Sequence, residues 1–163
     1  MADWSPIDNV IGIQPIANTE TTAAHPVGYR VRAKHATYGS GEFIYLSGAA
    51  STIVGSFATI NMDDGSTTLL AANAIGSVGV SMSANNTTTN YGWYQIYGKA
   101  IGAAATTVTD NANVYATGTA GMVAAAVVDG DMVHMCKSAS TTTTGTAEFE
   151  IHYPYTDDIT TND

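Results

Sequence analysis

The chain has 163 residues, 45% of them hydrophobic and only 12% charged, with a formal net charge of -9. That length suits one domain able to bury roughly 70% of its unfolded surface without a covalent staple. An acidic body repels phosphate backbones, which argues against a nucleic-acid partner, and a single cysteine, Cys136, excludes an intrachain disulfide.

The opening Met1-Ala-Asp-Trp-Ser-Pro has no basic segment followed by an apolar one, so no signal peptide is expected. No apolar run approaches the ~20 residues that span a membrane. The lone cysteine favours synthesis in a reducing cytoplasm.

Residues 1–38 hold three of the four prolines and little apolar periodicity. Proline cannot donate to a β-ladder and sits at edges and turns. The segment is expected to be an extended N-terminal arm resting on a neighbouring subunit or another protein, or else a frayed terminus. Within it Arg30, Arg32 and Lys34 alternate, with His35 beside them. Alternation puts the three cations on one side of an extended chain. They serve either electrostatic docking onto an acidic partner or protection of an exposed edge against unwanted pairing.

A body is expected over 39–156. Phe43-Ile-Tyr-Leu46 is a continuous apolar run, as in a strand buried on both faces. Ile53-Val54 and residues 57–60 follow as strand candidates. Asp64-Gly65 is a hairpin signal of type I′, which needs positive φ, with 67–70 as the returning strand. Residues 78–83 alternate apolar and small polar side chains. Tyr91-Gly-Trp-Tyr-Gln-Ile-Tyr-Gly-Lys-Ala100 carries four aromatic rings between glycines, a composition suited to a pleated strand and unsuited to a helix. In it Trp93, Tyr94, Ile96 and Tyr97 are candidates for core or a subunit interface. The alternative, an aromatic platform for sugar, is disfavoured because alternation splits Trp93, Tyr94 and Tyr97 between two faces.

Strands are also expected near 114–118, 122–128 and 132–136. Asp129-Gly130 makes a turn, and 141–144 make a loop. Phe149, Ile151 and Tyr153 alternate with Glu148, Glu150 and His152, predicting a strand with one wet face. Ala-rich stretches at 100–105 and 124–128 leave room for a short helical turn. Residues 157–163 form a polar tail. Short strands separated by turn signals define an all-β fold, a compact β-barrel or jelly-roll-like β-sandwich.

No catalytic constellation is legible. His25, His35, His134 and His152 lack metal-motif spacing. Cys136 reads as a small buried hydrophobe. Asp63-Asp64 and Asp129-Gly-Asp131 are explained by turn chemistry, since a calcium cage needs more oxygen ligands. No cofactor, metal or enzymatic activity is expected. The sequon-like Asn85-Asn-Thr87 carries little weight without a secretion signal.

Four phrases in order, Gly41-Glu-Phe-Ile-Tyr-Leu-Ser-Gly-Ala-Ala-Ser51, the Asp-Asp-Gly turn with Thr-Thr-Leu-Leu-Ala71, Gly76-Ser-Val-Gly-Val-Ser-Met-Ser-Ala84 and the aromatic strand, resemble tailed-phage capsid decoration (cement) proteins. Val114-Tyr-Ala-Thr-Gly-Thr-Ala-Gly121 and the strand beginning at Glu148 extend the resemblance to about Tyr155. The resemblance implies a homotrimer made in the host bacterial cytoplasm. It implies a place on the outer capsid surface of the virion, clamping neighbouring major capsid proteins. On that reading Arg30, Arg32, Lys34 and His35 are the expected capsid contacts. A receptor- or glycan-binding module of a phage tail is the alternative.

Overall fold

The computed structural model describes residues 3–9, 12–142 and 145–160. Parts of the expected arm (1–2 and 10–11), the 141–144 loop (143–144) and the tail (161–163) lie outside them. The fold is all-β: β1 (Ser5–Pro6), β2 (Thr19–Glu20), β3 (Arg30–His35), β4 (Gly39–Ser47), β5 (Phe57–Ile60), β6 (Thr67–Leu69), β7 (Gly76–Ser81), β8 (Tyr91–Ala104), β9 (Asn113–Ala116), β10 (Val123–Ala124), β11 (Met132–Ser138) and β12 (Gly145–Thr156). They form one mixed sheet in which β8, β10, β9, β11 and β12 close a ring, because β12 also pairs with β8. The expected barrel or sandwich is thus a compact barrel-like body. The Ala-rich stretches are not helical: 100–104 belong to β8 and 123–124 to β10.

The aromatic strand organises everything. The first half of β8 pairs with β4 and the second half with β12. The change occurs at Gly98, where φ is +99°. A side chain there would strain the backbone and would set a methyl 2.5 Å from the Ser40 carbonyl oxygen. Gln95, fully buried, locks the bend: its Nε2 donates to the carbonyls of Tyr97 and Lys99, either side of the glycine, at 3.1 and 3.2 Å. Beyond the bend the ring fills with small and medium side chains, among them Ala100, Val114, Val133, Cys136, Phe149 and Ile151. Phe57 caps it, edge-on to Phe149 at 5.2 Å.

Before the bend, β4 and β8 are covered on both faces, as the apolar run predicts. Ile44, Leu46, Tyr94 and Ile96 pack against Ala58 and Ile60 of β5. On the other face Phe43, Tyr45 and Trp93 pack against Trp4, Ile16, Val31 and Ala33.

Those four residues come from the segment expected to be an arm. No extended arm is found among its described residues; they lie along the chain's own body. β1 pairs with β3, β2 with β8, and β3 with β4 over its whole length. The boundary expected after residue 38 falls inside the β3–β4 hairpin. The physical reason is the aromatic face of β4 and β8, which needs a cover and obtains it from Trp4 and Ile16.

Tyr45 fastens this cover. Its hydroxyl donates to Glu20 Oε2 at 2.6 Å and accepts from the Ala24 amide at 3.2 Å. Burial and the neighbouring carboxylate push the hydroxyl's pKa up to about 12. The folded form therefore holds this proton more tightly than the unfolded chain, whose tyrosine titrates near 10. The stabilisation is complete below pH 10 and is lost as pH rises towards 12. Tyr45→Phe is expected to flatten that alkaline loss and to make cleavage within 12–28 faster, measured by denaturant melts from pH 8 to 12 and limited proteolysis. An alkaline profile identical to the parent's contradicts the assignment.

Three local expectations are corrected. Ile53 and Val54 are not a strand: Ser51 (φ +67°) and Gly55 (φ +85°) bend the chain on either side, leaving both side chains exposed. The Asp64-Gly65 turn is not type I′, since only Gly65 has positive φ; it closes a longer loop in which the Asn61 amide donates to the Ser66 carbonyl at 2.9 Å. Tyr153 does not continue the buried alternation of Phe149 and Ile151. Its φ of +54° turns it outward, and it is 48% exposed.

Candidate functional site

The cation strip is placed as the alternation predicts. Arg30, Arg32 and Lys34 face solvent from β3, while Val31 and Ala33 are buried. The outer side of β3 is paired over part of its length, by β1 at Ala33 and Lys34 and by the Ile7 amide, which donates to the Arg32 carbonyl at 3.0 Å. Two of the cations are engaged within the chain. Arg32 binds Asp8 through its backbone amide at 2.7 Å and its guanidinium at 2.9 and 3.0 Å. The backbone amide first, then the guanidinium, hold the Asp8 carboxyl below the usual carboxylate range. Arg30 lies 3.6 Å from Glu42. Lys34 makes no ion pair among the described residues. His35 caps the hairpin: its Nδ1 accepts from the amides of Thr37 and Tyr38 at 3.0 and 3.3 Å, and its ring stacks on Tyr38 at 4.5 Å.

Of the aromatic-strand candidates, Trp93, Tyr94 and Ile96 are buried within the chain. Tyr97, next to the Gly98 bend, is exposed. Trp93 meets Tyr45 edge-on at 5.1 Å and His25 at 5.5 Å.

Tyr97 belongs to a surface that the sequence does not reveal. On the outside of the ring, β11 and β12 lose register between the pairs Cys136↔Ile151 and His134↔Tyr155. One residue of β11, Met135, faces three of β12. Met135 (φ +58°) and Tyr153 (φ +54°) both adopt the left-handed conformation, which costs a non-glycine residue roughly 1–2 kcal/mol. The register break points both side chains out, with Met135 57% exposed. Their neighbours are ordered. Tyr155 stacks on His134 at 4.8 Å, and His134 Nε2 lies 3.3 Å from Asp157. Tyr97 sits edge-on to His152 at 5.1 Å, and the Tyr153 hydroxyl donates to Glu42 at 2.7 Å.

Beside the bulge runs a groove of about 420 Å³ lined by Asn113, His134, Met135, Lys137, Glu150 and Tyr155, among others. Such a volume suits a small ligand. The sequence signal available in advance was the exposed rank of Glu150 and His152. What it lacked was the φ reversal that brings Met135 and Tyr153 beside them.

Cys136 lies beneath this groove and belongs to the ring core. Burial raises its thiol pKa to about 12, so the reactive thiolate is suppressed. Among the described residues no three His, Cys, Asp or Glu side chains gather to hold one metal ion. Asn85, the first residue of the sequon-like stretch, is fully buried.

The fold and these surfaces define an all-β module that presents a cationic strip on one strand and an aromatic groove on its ring. Comparison with protein-family models, with curated proteins and with solved structures finds no match.

Proposed function

We propose that this chain is a structural virion protein that binds the outside of a tailed-phage head as a homotrimer and clamps neighbouring major capsid proteins. The observation that supports it best is the strip on β3. Three of the chain's five Lys and Arg residues stand on one solvent-facing side of a body whose net charge is -9. Such a strip orients an acidic protein onto an acidic partner surface and excludes the reversed approach. Three copies of a modest contact, held in one trimer, multiply into firm attachment. A protein that binds only the assembled lattice stabilises it by mass action. The closed ring and the self-covered β4–β8 core suit a rigid clip.

Lys34 is the clean probe, because changing it breaks no ion pair among the described residues. Lys34→Glu is expected to lower occupancy on purified heads about tenfold at low salt, with a smaller deficit at high salt. Occupancy equal to the parent's at low salt overturns the docking role of the strip.

A second reading, a receptor- or glycan-binding module of a phage tail, is favoured by one specific observation. Tyr155 is exposed in the wall of a groove, and the exposed Tyr97 lies edge-on to His152, which lines the same groove.

A further inference from the structure

We infer that the groove beside the Met135 bulge is a binding site for a neutral saccharide. The inference rests on the second reading in taking this face to be open to ligand, and it holds whether the module rides on a head or a tail.

The groove joins two kinds of surface. Its aromatic wall is Tyr155, whose ring plane is fixed by the His134 stack and, behind that, by Asp157. An aromatic face of fixed orientation and partial exposure receives the C–H face of a pyranose ring with little entropy lost. Its polar wall is Asn113, Lys137 and Glu150, all exposed. Lys137 and Glu150 stand directly opposite each other in the β11–β12 register, yet form no ion pair among the described residues. Their donors and acceptor, with the Asn113 amide, are open to ligand hydroxyls. A few polar groups set against an apolar wall fix a ligand's orientation in a concave site.

Charge selects the class. One lysine and one glutamate cancel, so the groove favours neither a phosphate nor a cation. A peptide added as an extra strand has no place here either. The ladder hydrogen bonds of β9, β11 and β12 are used in closing the ring. The strain at Met135 and Tyr153 gives a further argument. Two non-glycine residues held left-handed on adjacent strands, Met135 in the groove's lining and Tyr153 next in sequence to its His152, cost stability that the ring core does not need. Strained backbone of this kind clusters at ligand sites.

The test uses the full chain on an immobilised array of neutral and anionic oligosaccharides, followed by calorimetric titration with the best-retained neutral sugar. Retention by neutral glycans is expected. Tyr155→Ala is expected to weaken the titrated affinity about tenfold or more, and Glu150→Ala, at an exposed position that leaves the fold intact, is expected to weaken it as well. An array without retention, retention confined to anionic glycans, or affinity unmoved by both substitutions overturns the site. Light scattering on the same two variants separates a ligand groove from a contact between copies. An unchanged molar mass supports the groove, and a mass that drops with the substitutions assigns the face to self-assembly instead. Head occupancy of both variants is expected to equal the parent's, so failure of sugar binding and failure of head binding are read independently.

Discussion

Gly48→Ala is expected to destabilise the protein by roughly 3 kcal/mol or more, the upper end of the cost of inserting a methyl group into a packed interior. β4 ends at Ser47, and the following glycine has the 85–90 loop lying directly on it. A methyl at Gly48 would sit 2.2 Å from the Asn85 carbonyl oxygen, 2.5 Å from the Asn85 side-chain amide and 2.6 Å from the Thr87 carbonyl oxygen. Two of these are backbone atoms with no room to retreat, because Asn85 is itself fixed. With its amide oxygen facing donors, Asn85 accepts from Gly48 and Gly92 at 3.2 and 3.3 Å and donates to the Asn90 carbonyl at 3.2 Å. It thereby ties the end of β4 to the start of β8. A loss of this size is a large part of the 5–15 kcal/mol that typically holds a domain together. Gly118→Ala is the control: nothing lies within 4 Å of the added methyl, so its denaturation midpoint should stay within about 0.5 kcal/mol of the parent's. Equal midpoints for the two variants contradict the packing described at Gly48.

Trp93→Ala is expected to cost about 3–5 kcal/mol, the range for removing a fully buried large aromatic. Its effect reaches beyond the cavity. Trp93, Phe43 and Tyr45 form the face that Trp4 and Ile16 cover, so losing the indole loosens the N-terminal segment ahead of the ring. Hydrogen exchange is the measurement. The Gly28 amide, bonded to the Tyr45 carbonyl at 2.7 Å, should lose protection, while Gly102 and Ala103 in the ring keep more of theirs. Trp93→Phe should recover much of the loss, since it retains a packed ring and removes a buried indole N–H that has no acceptor among the described residues. Tyr97→Ala, four residues along the same strand and exposed, should change stability by about 0.5 kcal/mol or less. A Tyr97 effect as large as that of Trp93 contradicts the division of the strand into core and surface.

These contrasts show what the sequence makes legible. The unbroken run Phe43-Ile-Tyr-Leu46 reads as a strand buried on both faces because hydrophobicity without alternation requires two covers, and two are found. Thr67–Leu69 and Gly76–Ser81 are readable because turn residues bracket them. What covers the run is not readable. Trp4 and Ile16 stand alone in a proline-bearing segment with no period, and their partners are some 27 to 89 residues away. Periodicity cannot report such a contact, so the segment resembles an arm. Ring closure is hidden for the same reason: β10 reaches β8 through the single parallel pair Val123↔Ala104.

The cation strip is fully legible, since Arg30, Arg32 and Lys34 obey the period of two that β3 imposes. Its internal ion pairs are not, because Asp8 is brought to Arg32 only by the course of the N-terminal segment. The groove is the least legible feature. Alternation along Phe149, Ile151 and Tyr153 predicts three inward side chains. It fails at Tyr153 because a non-glycine residue enters the left-handed region, which no composition rule marks. The opposite failure occurs at Met135, where an apolar residue between His134 and the buried Cys136 turns out to be surface.

Molar mass in solution, from size-exclusion chromatography with light scattering, tests the homotrimeric clamp most directly. The account predicts a species of three times the 16.9 kDa chain mass. A single species at 16.9 kDa would contradict it and leave the module a monomeric binder.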